Sequence, residues 1–499
     1  MTLEKARSMP LGDPEEQATP VRPQRSWLSR VPLLRILATP VDTAASLDEG
    51  TTPLDVPPWT RGAPARTTRA VPPGWRYATG CHRGAPSTTK QAEILNTALI
   101  GPPTGTAGIV NGRDSLSRTL IAHDAATAYN AEPRQVTSPN VLVFGTVGSG
   151  KSSFVKTVCV IRPLLLKHRR AVVFDKKDDG GQGEYADLAR RLGAEPLRFT
   201  TDADGTRLNL LDPVIARGTG IKGQFRLLAA ITRVARNDEA LTKWEEEAVR
   251  AALRALHAGG DPGRAFVAAD LLPHLGRVVD DPDYQELSAS ARDQLHRAGL
   301  SVRWALTGLL EEYAGLLDGE TSSSVDLSHK LTSFDLSQLP DDGPAVPVVM
   351  AIGNMWLTGR LRHERGWVTN VIYEEGWHMI GGPSAQLVKS NQKLSRSLGI
   401  SNVFVMHKGT DIPPESPGYT VVQEAQTVYV FNQARTEDAR WATSTFGFAP
   451  ETAATLMRLK PGHCVFKYGA NPETHLQHVR STWEAEVSDT DTALAAAAR

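Results

Sequence analysis

The residues best suited to chemistry in this chain form a glycine-rich stretch that ends in a lysine and hydroxyl groups. The pattern G-x-x-x-x-G-K-S occupies 145–152, between an apolar run at 141–144 and helical periodicity at 153–167. Glycines let successive backbone N–H groups turn inward toward an anion, and the start of the helix adds free N–H groups and a favourable dipole. The pattern therefore predicts a phosphate-binding loop, and this context makes a chance match the weaker explanation.

Nine consecutive residues are predicted to contact a bound nucleotide. They are Gly145, Thr146, Val147, Gly148, Ser149, Gly150, Lys151, Ser152 and Ser153. The Lys151 ammonium can reach the β- and γ-phosphates, and the Ser152 hydroxyl can bind magnesium. We therefore expect ATP and Mg²⁺ as the cofactors.

A pair of carboxylates, Glu374 and Glu375, follows the apolar run 371–373. In an open α/β sheet the ligand crevice lies at the carboxyl ends of the strands, so this pair is expected beside the phosphate loop. We assign Glu374 to the magnesium shell, through a water molecule, and Glu375 to orienting the attacking water. The alternative is a solvated strand end without catalytic function, which the phosphate loop upstream makes weaker.

Three further residues are candidates for the catalytic machinery. His407 ends the apolar run 403–406, where a polar side chain could sense the γ-phosphate; an ordinary hydrogen-bonded histidine is the alternative. Arg396 and Arg435 are candidates for an arginine that completes the site of a neighbouring subunit. For both arginines a solvated helix face is the alternative interpretation.

Apolar runs alternate with helical patterns on both sides of these residues, which predicts a mostly parallel sheet with helices on both faces. The predicted strands lie at 106–110, 141–144, 171–175, 196–199, 346–352, 368–373, 403–405 and 428–431, and a final antiparallel pair lies at 464–467 and 475–479. Helices are predicted near 115–130, at 184–192 and through most of 224–318.

The sequence divides into five predicted segments. Residues 1–75 form a disordered tail rich in proline and arginine, 76–215 the first part of an α/β core, 216–330 an all-helical insertion, 331–484 the second part of the core, and 485–499 a disordered tail. Within the first tail, Trp27 to Leu37 alternates apolar residues with arginines. That stretch is either loosely packed or a basic amphipathic helix for a partner or a lipid surface.

Composition excludes several classes of protein. The 499 residues include 55 Lys and Arg against 55 Asp and Glu, and this zero formal charge argues against a protein that coats nucleic acid. Cys81, Cys159 and Cys464 stand far apart, which suits a reducing cytoplasm and suggests no zinc site. We find no apolar run long enough for a membrane span and no signal peptide.

Several motifs, taken together and in order, resemble those of the HerA/FtsK superfamily, and within it the TraC-type ATPases of conjugative type IV secretion. They lie at 145–152, 173–177 with 184–185, 208–213, 334–340, 374–377, 396–400 and 405–407. The resemblance implies a RecA-like P-loop NTPase core, a helical insertion and a ring of subunits, with a hexamer expected. Two motifs depart from the family: Glu374 stands where Asp is usual, and Met406-His407 stands where Thr-Gln is usual.

The resemblance also implies a function, that of a motor driven by ATP hydrolysis. Such a motor would move DNA or protein through membrane-bound channel proteins of a secretion or conjugation system. Such a protein would lie in the cytoplasm, held at the inner face of the membrane by its partners. Two alternatives stay open: an FtsK-like DNA pump, and a nucleotide-binding assembly protein with little hydrolysis.

Overall fold

A computed structural model of the chain describes residues 107–489, apart from 203, 260–263, 278–283, 381–384, 386–395 and 413. The predicted tail at 1–75 and the stretch Trp27 to Leu37 lie outside the described residues. The strands are β1 (Val110–Asp114), β2 (Leu120–Ala122), β3 (Val141–Phe144), β4 (Arg169–Asp175), β5 (Leu197–Arg198), β6 (Leu331–Asp335), β7 (Val368–Tyr373), β8 (Ile400–Met406), β9 (Thr427–Val430), β10 (His463–Tyr468) and β11 (Thr474–His478).

Within the described residues these strands form one sheet in the order β2-β1-β11-β10-β9-β3-β8-β7-β4-β6-β5. The strands from β9 to β5 are all parallel to one another, whereas β10, β11, β1 and β2 extend the sheet in antiparallel fashion. This confirms an α/β fold with a mostly parallel sheet. The predicted antiparallel pair forms as β10 and β11, but β1 and β2 continue the sheet beyond it.

Helices connect and cover the strands. They are α1 (Ala125–Asn130), α2 (residues 151–164), α3 (Ala186–Arg191), α4 (Pro213–Thr219), α5 (Ile221–Ala235), α6 (Lys243–Gly259), α7 (Ala268–Leu275), α8 (Ala289–Glu312), α9 (Ala345–Leu361), α10 (Trp377–Ile380), α11 (Tyr419–Glu424), α12 (Thr436–Phe446), α13 (Thr452–Leu456) and α14 (Thr482–Ser488). Helices α4 to α8 lie between β5 and β6, where the sequence predicts a helical insertion; its boundaries stay a prediction. None of the described helices has both the length and the apolar character needed to cross a membrane.

The strand predicted at 346–352 is wrong, because these residues lie inside helix α9. Nearly every side of α9 is buried, so its sequence is apolar all round and shows no helical periodicity. Two glycines allow this close packing: a Cβ atom on Gly353 would lie 2.8 Å from the Phe174 ring, and one on Gly359 would lie 2.1 Å from the Val214 carbonyl oxygen. The packing of residues 346–352 between the sheet and the other helices, rather than their local propensity, decides that they form a helix.

Two smaller predictions are also corrected. The single helix near 115–130 is instead strand β2 followed by α1, because 120–122 pairs with β1 and Asp124 caps the helix by accepting from Thr127 N–H. The predicted disordered tail at 485–499 begins inside α14. There, Ser481 caps the helix and Val487 is buried. The rest of that segment lies outside the described residues.

Strand β3 brings the site to the centre of the parallel sheet. Its side chains alternate between two buried clusters, with Leu142 and Phe144 in one and Val141 and Val143 in the other, so both faces of the sheet are covered. Strand β8 lies beside β3, and β7 lies beside β8. Because these strands are parallel, the residues that follow their carboxyl ends meet at one edge.

Candidate functional site

The phosphate-binding loop follows β3 and leads directly into α2, which begins at Lys151. Gly148 and Gly150 have φ angles of 74° and 94°, which residues with a side chain rarely adopt. A Cβ atom on Gly150 would also lie 2.8 Å from the backbone nitrogen of Gly462, so close packing favours glycine there. The backbone thus makes the turn that the sequence predicts, at a helix start whose first N–H groups lack intrahelical partners.

Neighbouring segments hold this loop in shape. The Thr146 N–H donates to the carbonyl oxygen of Asn432, just after β9, at 2.9 Å. The Gly462 N–H donates to the carbonyl oxygen of Ser149, also at 2.9 Å, and the Ser149 hydroxyl donates to the Thr146 carbonyl oxygen at 2.7 Å. The loop is therefore preorganised by the fold, which is what an anion cradle requires.

Lys151 is buried at the centre of the loop. Its ammonium donates to the carbonyl oxygens of Gly145 at 2.5 Å and Thr146 at 2.9 Å. Burial lowers the pKa of Lys151 to about 8, and the Glu374 and Glu375 carboxylates oppose that change. A phosphate group would stabilise the charged ammonium further, so the surroundings of Lys151 suit an anionic ligand.

The two hydroxyls after Lys151 differ in their contacts. The Ser153 hydroxyl donates to the carbonyl oxygen of Ser488 in α14 at 2.9 Å and accepts from Arg480 at 3.3 Å. The Ser152 hydroxyl has no hydrogen-bond partner among the described residues. Ser152 is therefore the hydroxyl available to a metal, whereas the predicted contact of Ser153 with nucleotide would have to use its backbone N–H.

Glu374, directly after β7, is buried. One of its oxygens, Oε1, accepts a hydrogen bond from the Tyr185 hydroxyl at 2.6 Å. Burial, and next the neighbouring Glu184 carboxylate, raise the pKa of Glu374 to about 7. A carboxylate in such surroundings lacks full compensation for its charge, and a nearby cation would supply it.

Glu375 is only partly buried and has a left-handed φ of 54°. Its Oε2 accepts from Trp377 Nε1 at 2.8 Å, and its Oε1 lies 3.2 Å from His407 Nε2. Burial alone would raise the pKa of Glu375, but the hydrogen bonds from His407 and Trp377 lower it to about 2. Glu375 is therefore a fixed carboxylate that is ionised at neutral pH.

His407 connects the carboxylate pair to the phosphate loop. Its Nε2 faces Glu375 and its Nδ1 lies 3.4 Å from Lys151 Nζ. Since Lys151 can only donate, this arrangement places the acceptor at Nδ1 and the N–H at Nε2. Three residues that the sequence predicts for the site, Lys151, His407 and Glu375, thus form one chain of contacts.

The two candidate arginines are not in that chain of contacts. Arg396 forms an ion pair with Glu424 at 2.9 Å. Arg435 is exposed just before α12 and forms no side-chain ion pair with the described residues. Neither side chain hydrogen-bonds to Lys151, Glu374 or Glu375, so the structure does not bring them into the site of their own chain.

Sequence reasoning missed a buried polar layer behind the carboxylate pair. Tyr185 and Glu184 precede α3, and Glu184 pairs with Lys156 of α2 at 3.4 Å. Asp175 ends β4 and Asp335 ends β6. The sequence does contain a signal for most of these residues. Asp175 and Asp335 are carboxylates at strand ends, and Glu184-Tyr185 belongs to the motif series. Lys156 gives only the weaker sign of a charge within an apolar helical run.

The donors at this edge of the sheet fit Mg²⁺. A free serine hydroxyl at Ser152 and a buried carboxylate at Glu374 are oxygen ligands of the kind this ion prefers. With only these two protein groups, most of the coordination shell would come from phosphate oxygens and water, as is usual for Mg²⁺ at nucleotides.

A separate cavity of about 410 Å³ lies near the amino end of β9, at the opposite edge of the sheet from the loop. Val428, Phe446 and Lys467 are among its lining residues. The Lys467 ammonium donates to the carbonyl oxygens of Phe446 at 2.9 Å and Gly447 at 2.7 Å, so its charge serves the end of α12. No predicted site residue lines this cavity.

The order of the parallel strands and the loop before α2 define a P-loop NTPase fold of the RecA-like kind. More particularly, the chain is similar to VirB4 of Thermoanaerobacter pseudethanolicus, with a TM-score of 0.56 and 18% identical residues, over 77% of this chain and 100% of that one. This likeness confirms, at the level of the fold, what the motif series implies.

Two structures of TrwB align less well than VirB4 does. The plasmid coupling protein TrwB in complex with ADP and Mg²⁺ gives a TM-score of 0.48 at 13% identity, over 77% of this chain and 97% of that one. TrwB with the ATP analogue ADPNP gives 0.49 at 14% identity, over 80% and 96%. No protein-family profile matches the sequence, and no curated protein matches it.

Proposed function

We propose that this protein is an ATP-hydrolysing motor of a conjugation-like or type IV secretion-like system. One observation carries the proposal: the preorganised phosphate loop holds Lys151 in contact, through His407, with the ionised Glu375. Hydrolysis of a phosphoanhydride needs a phosphate cradle and a positioned carboxylate, and both are present within one connected site.

Each residue of the site has its own role in this proposal. Lys151 and the loop N–H groups would bind the phosphates, while Ser152 and Glu374 would hold Mg²⁺, Glu374 through a water molecule. When bound, Mg²⁺ neutralises charge on the β- and γ-phosphates. Because a carboxylate with a pKa near 2 is a weak base, Glu375 orients the attacking water and polarises it rather than taking its proton early.

His407 acts as the sensor in this proposal. It contacts both Lys151 and Glu375, so a shift of the lysine toward a γ-phosphate would change the hydrogen bond that orients the carboxylate. This couples nucleotide occupancy to the position of the group that acts on water.

Assembly and partners follow from the motif resemblance. We infer a ring, with six subunits expected, in which an arginine from one subunit completes the site of the next. Membrane-bound channel proteins would hold the ring at the inner face of the membrane, and DNA or protein would be the cargo. The likeness to VirB4 supports the P-loop NTPase fold on which this proposal rests.

The assembly protein with little hydrolysis keeps one observation in its favour. Glu374 stands where an Asp is usual, and its carboxylate is held by Tyr185 in surroundings that raise its pKa to about 7. The FtsK-like DNA pump differs from the first proposal in cargo, and a basic lining of the ring pore would favour it.

Phosphate release by the purified chain tests the proposal. Lys151→Ala should reduce turnover by about a hundredfold or more, because the phosphates lose their buried cation, while the folded structure stays intact. Lys243→Ala is the matched control, since Lys243 is an exposed lysine on α6 whose ion pair, among the described residues, is with Glu246. Absence of turnover in the wild type at high protein concentration favours the assembly protein, and unchanged turnover in Lys151→Ala overturns the site.

A further inference from the structure

A turn before α3 connects the carboxylates of neighbouring strands. The Gly183 N–H donates to Asp335 Oδ2, at the end of β6, at 2.9 Å, and the Tyr185 N–H donates to Asp175 Oδ2, at the end of β4, at 2.8 Å. A Cβ atom on Gly183 would lie 2.5 Å from Asp175 Oδ2 and 2.9 Å from Asp335 Oδ1. The turn is therefore held between two carboxylates at a spacing that only glycine permits.

From this fixed turn, the side chain of Tyr185 reaches the site. Its ring is fully buried, with the Lys156 ammonium 5.3 Å from the ring centre. Its hydroxyl donates to Glu374 Oε1 at 2.6 Å, and no other described residue hydrogen-bonds to the Glu374 carboxylate. Glu374 thus receives its orientation from Tyr185.

The hydroxyl itself needs an explanation, because a phenylalanine ring would fill the same space. A buried hydroxyl costs free energy unless it is hydrogen-bonded, and its partner here is a carboxylate that is short of compensating charge. The bond leaves Oε2 of Glu374 without a partner among the described residues, and so available to the water shell of a metal.

We propose that Tyr185 is a positioning residue for Mg²⁺: its hydroxyl fixes Oε1 of Glu374 so that the carboxylate presents Oε2 to the metal's water shell. The proposal rests on the function proposed above, since it concerns the same nucleotide site. Tyr185 itself touches neither phosphate nor metal in this scheme, and it acts through Glu374.

The test is Tyr185→Phe, which keeps the ring and removes one hydroxyl. Binding of a fluorescent ADP analogue is titrated with and without Mg²⁺, alongside kcat and KM for ATP. We expect unchanged metal-free affinity, a roughly tenfold higher Mg²⁺ concentration for half-maximal effect, and a lower kcat with unchanged KM at saturating Mg²⁺. Tyr284→Phe is the matched control, because the Tyr284 hydroxyl donates to Glu247 at 2.5 Å in the helical region.

A thermodynamic cycle makes the test stricter. In a Glu374→Ala background, Tyr185→Phe should have no further effect on Mg²⁺ dependence, because its partner is already gone. Independent losses from the two substitutions overturn the proposal, as does an unchanged Mg²⁺ dependence in folded Tyr185→Phe. A variant that fails to fold or loses metal-free binding assigns the hydroxyl to structural support and also overturns it. A wild-type chain that binds no nucleotide would instead remove the proposed function.

Discussion

At the scale of single residues, Glu375 is the most constrained member of the site. A left-handed φ of 54° is unfavourable for glutamate, and such strain persists only where surrounding contacts enforce it. Those contacts come from Trp377 on the following helix and from His407, which directly follows the neighbouring strand β8. The strained backbone thus places a carboxylate, ionised at neutral pH, where the phosphate loop ends.

Replacing Glu375 by glutamine tests this role. Glu375→Gln keeps the shape and loses the negative charge, so we expect nucleotide binding to stay near the wild-type value and hydrolysis to slow by about a hundredfold or more. Single-turnover phosphate release, measured beside equilibrium binding of a fluorescent ATP analogue, separates the two effects. Glu311→Gln, at an exposed glutamate on α8, is the control. Equal loss of binding and hydrolysis would show that Glu375 supports the loop instead of the water.

At the scale of elements, the buried parallel strands are the part of the fold that the sequence predicts best. Strand β4 ends in Asp175, strand β7 is followed directly by Glu374, and both strands form where they are predicted. The same criterion, that an apolar run indicates a buried strand, gives the wrong prediction for helix α9. A helix buried on all sides is also a continuous apolar run. The sequence does not predict strand β6, because its residues are few and partly polar. Pairing with β4 and β5 on either side holds these residues in a strand.

In the candidate site, too, some features can be predicted from the local sequence and others cannot. Its loop and carboxylate pair are local motifs, so the sequence reveals them. The bond between Tyr185 and Glu374 joins residues 189 positions apart, and only the order of strands β7 and β4 brings them together. Contacts of this kind depend on tertiary packing and leave no local pattern.

Packing at α9 gives a test of the element itself. Gly359→Ala adds a Cβ atom where the Val214 carbonyl oxygen is 2.1 Å away, so the helices must separate. We expect a destabilisation of about 1–3 kcal/mol. Gly308→Ala on α8 is the control with opposite sign, since Gly308 has no atom within 4 Å of an added Cβ and alanine favours the helix by up to about 1 kcal/mol. Denaturant unfolding followed by circular dichroism measures both; a stabilised Gly359→Ala variant would contradict the packing described for α9.

At the scale of the whole molecule, neither candidate arginine hydrogen-bonds to Lys151, Glu374 or Glu375 of its own chain. Arg396 already neutralises Glu424, so using it elsewhere would cost that ion pair. Arg435 is exposed and has no ion pair among the described residues, and it follows β9, whose carboxyl end lies beside the phosphate loop's strand. Arg435 is therefore the better candidate for the arginine that one subunit lends to another.

Mixing two inactive variants tests this exchange. Arg435→Ala keeps its phosphate loop and Lys151→Ala keeps its arginine, so in a mixed ring about one interface in four combines both intact halves. We expect each variant alone to be nearly inactive, and a 1:1 mixture to recover a measurable part of the wild-type phosphate release.

Specific activity of the wild type should also rise with protein concentration as subunits associate. Arg396→Ala is the control, and it should retain activity alone. An inactive Arg396→Ala that recovers activity when mixed with Lys151→Ala, beside a fully active Arg435→Ala, would exchange the roles of the two arginines. A wild-type monomer in sedimentation with full activity at every concentration would exclude the ring.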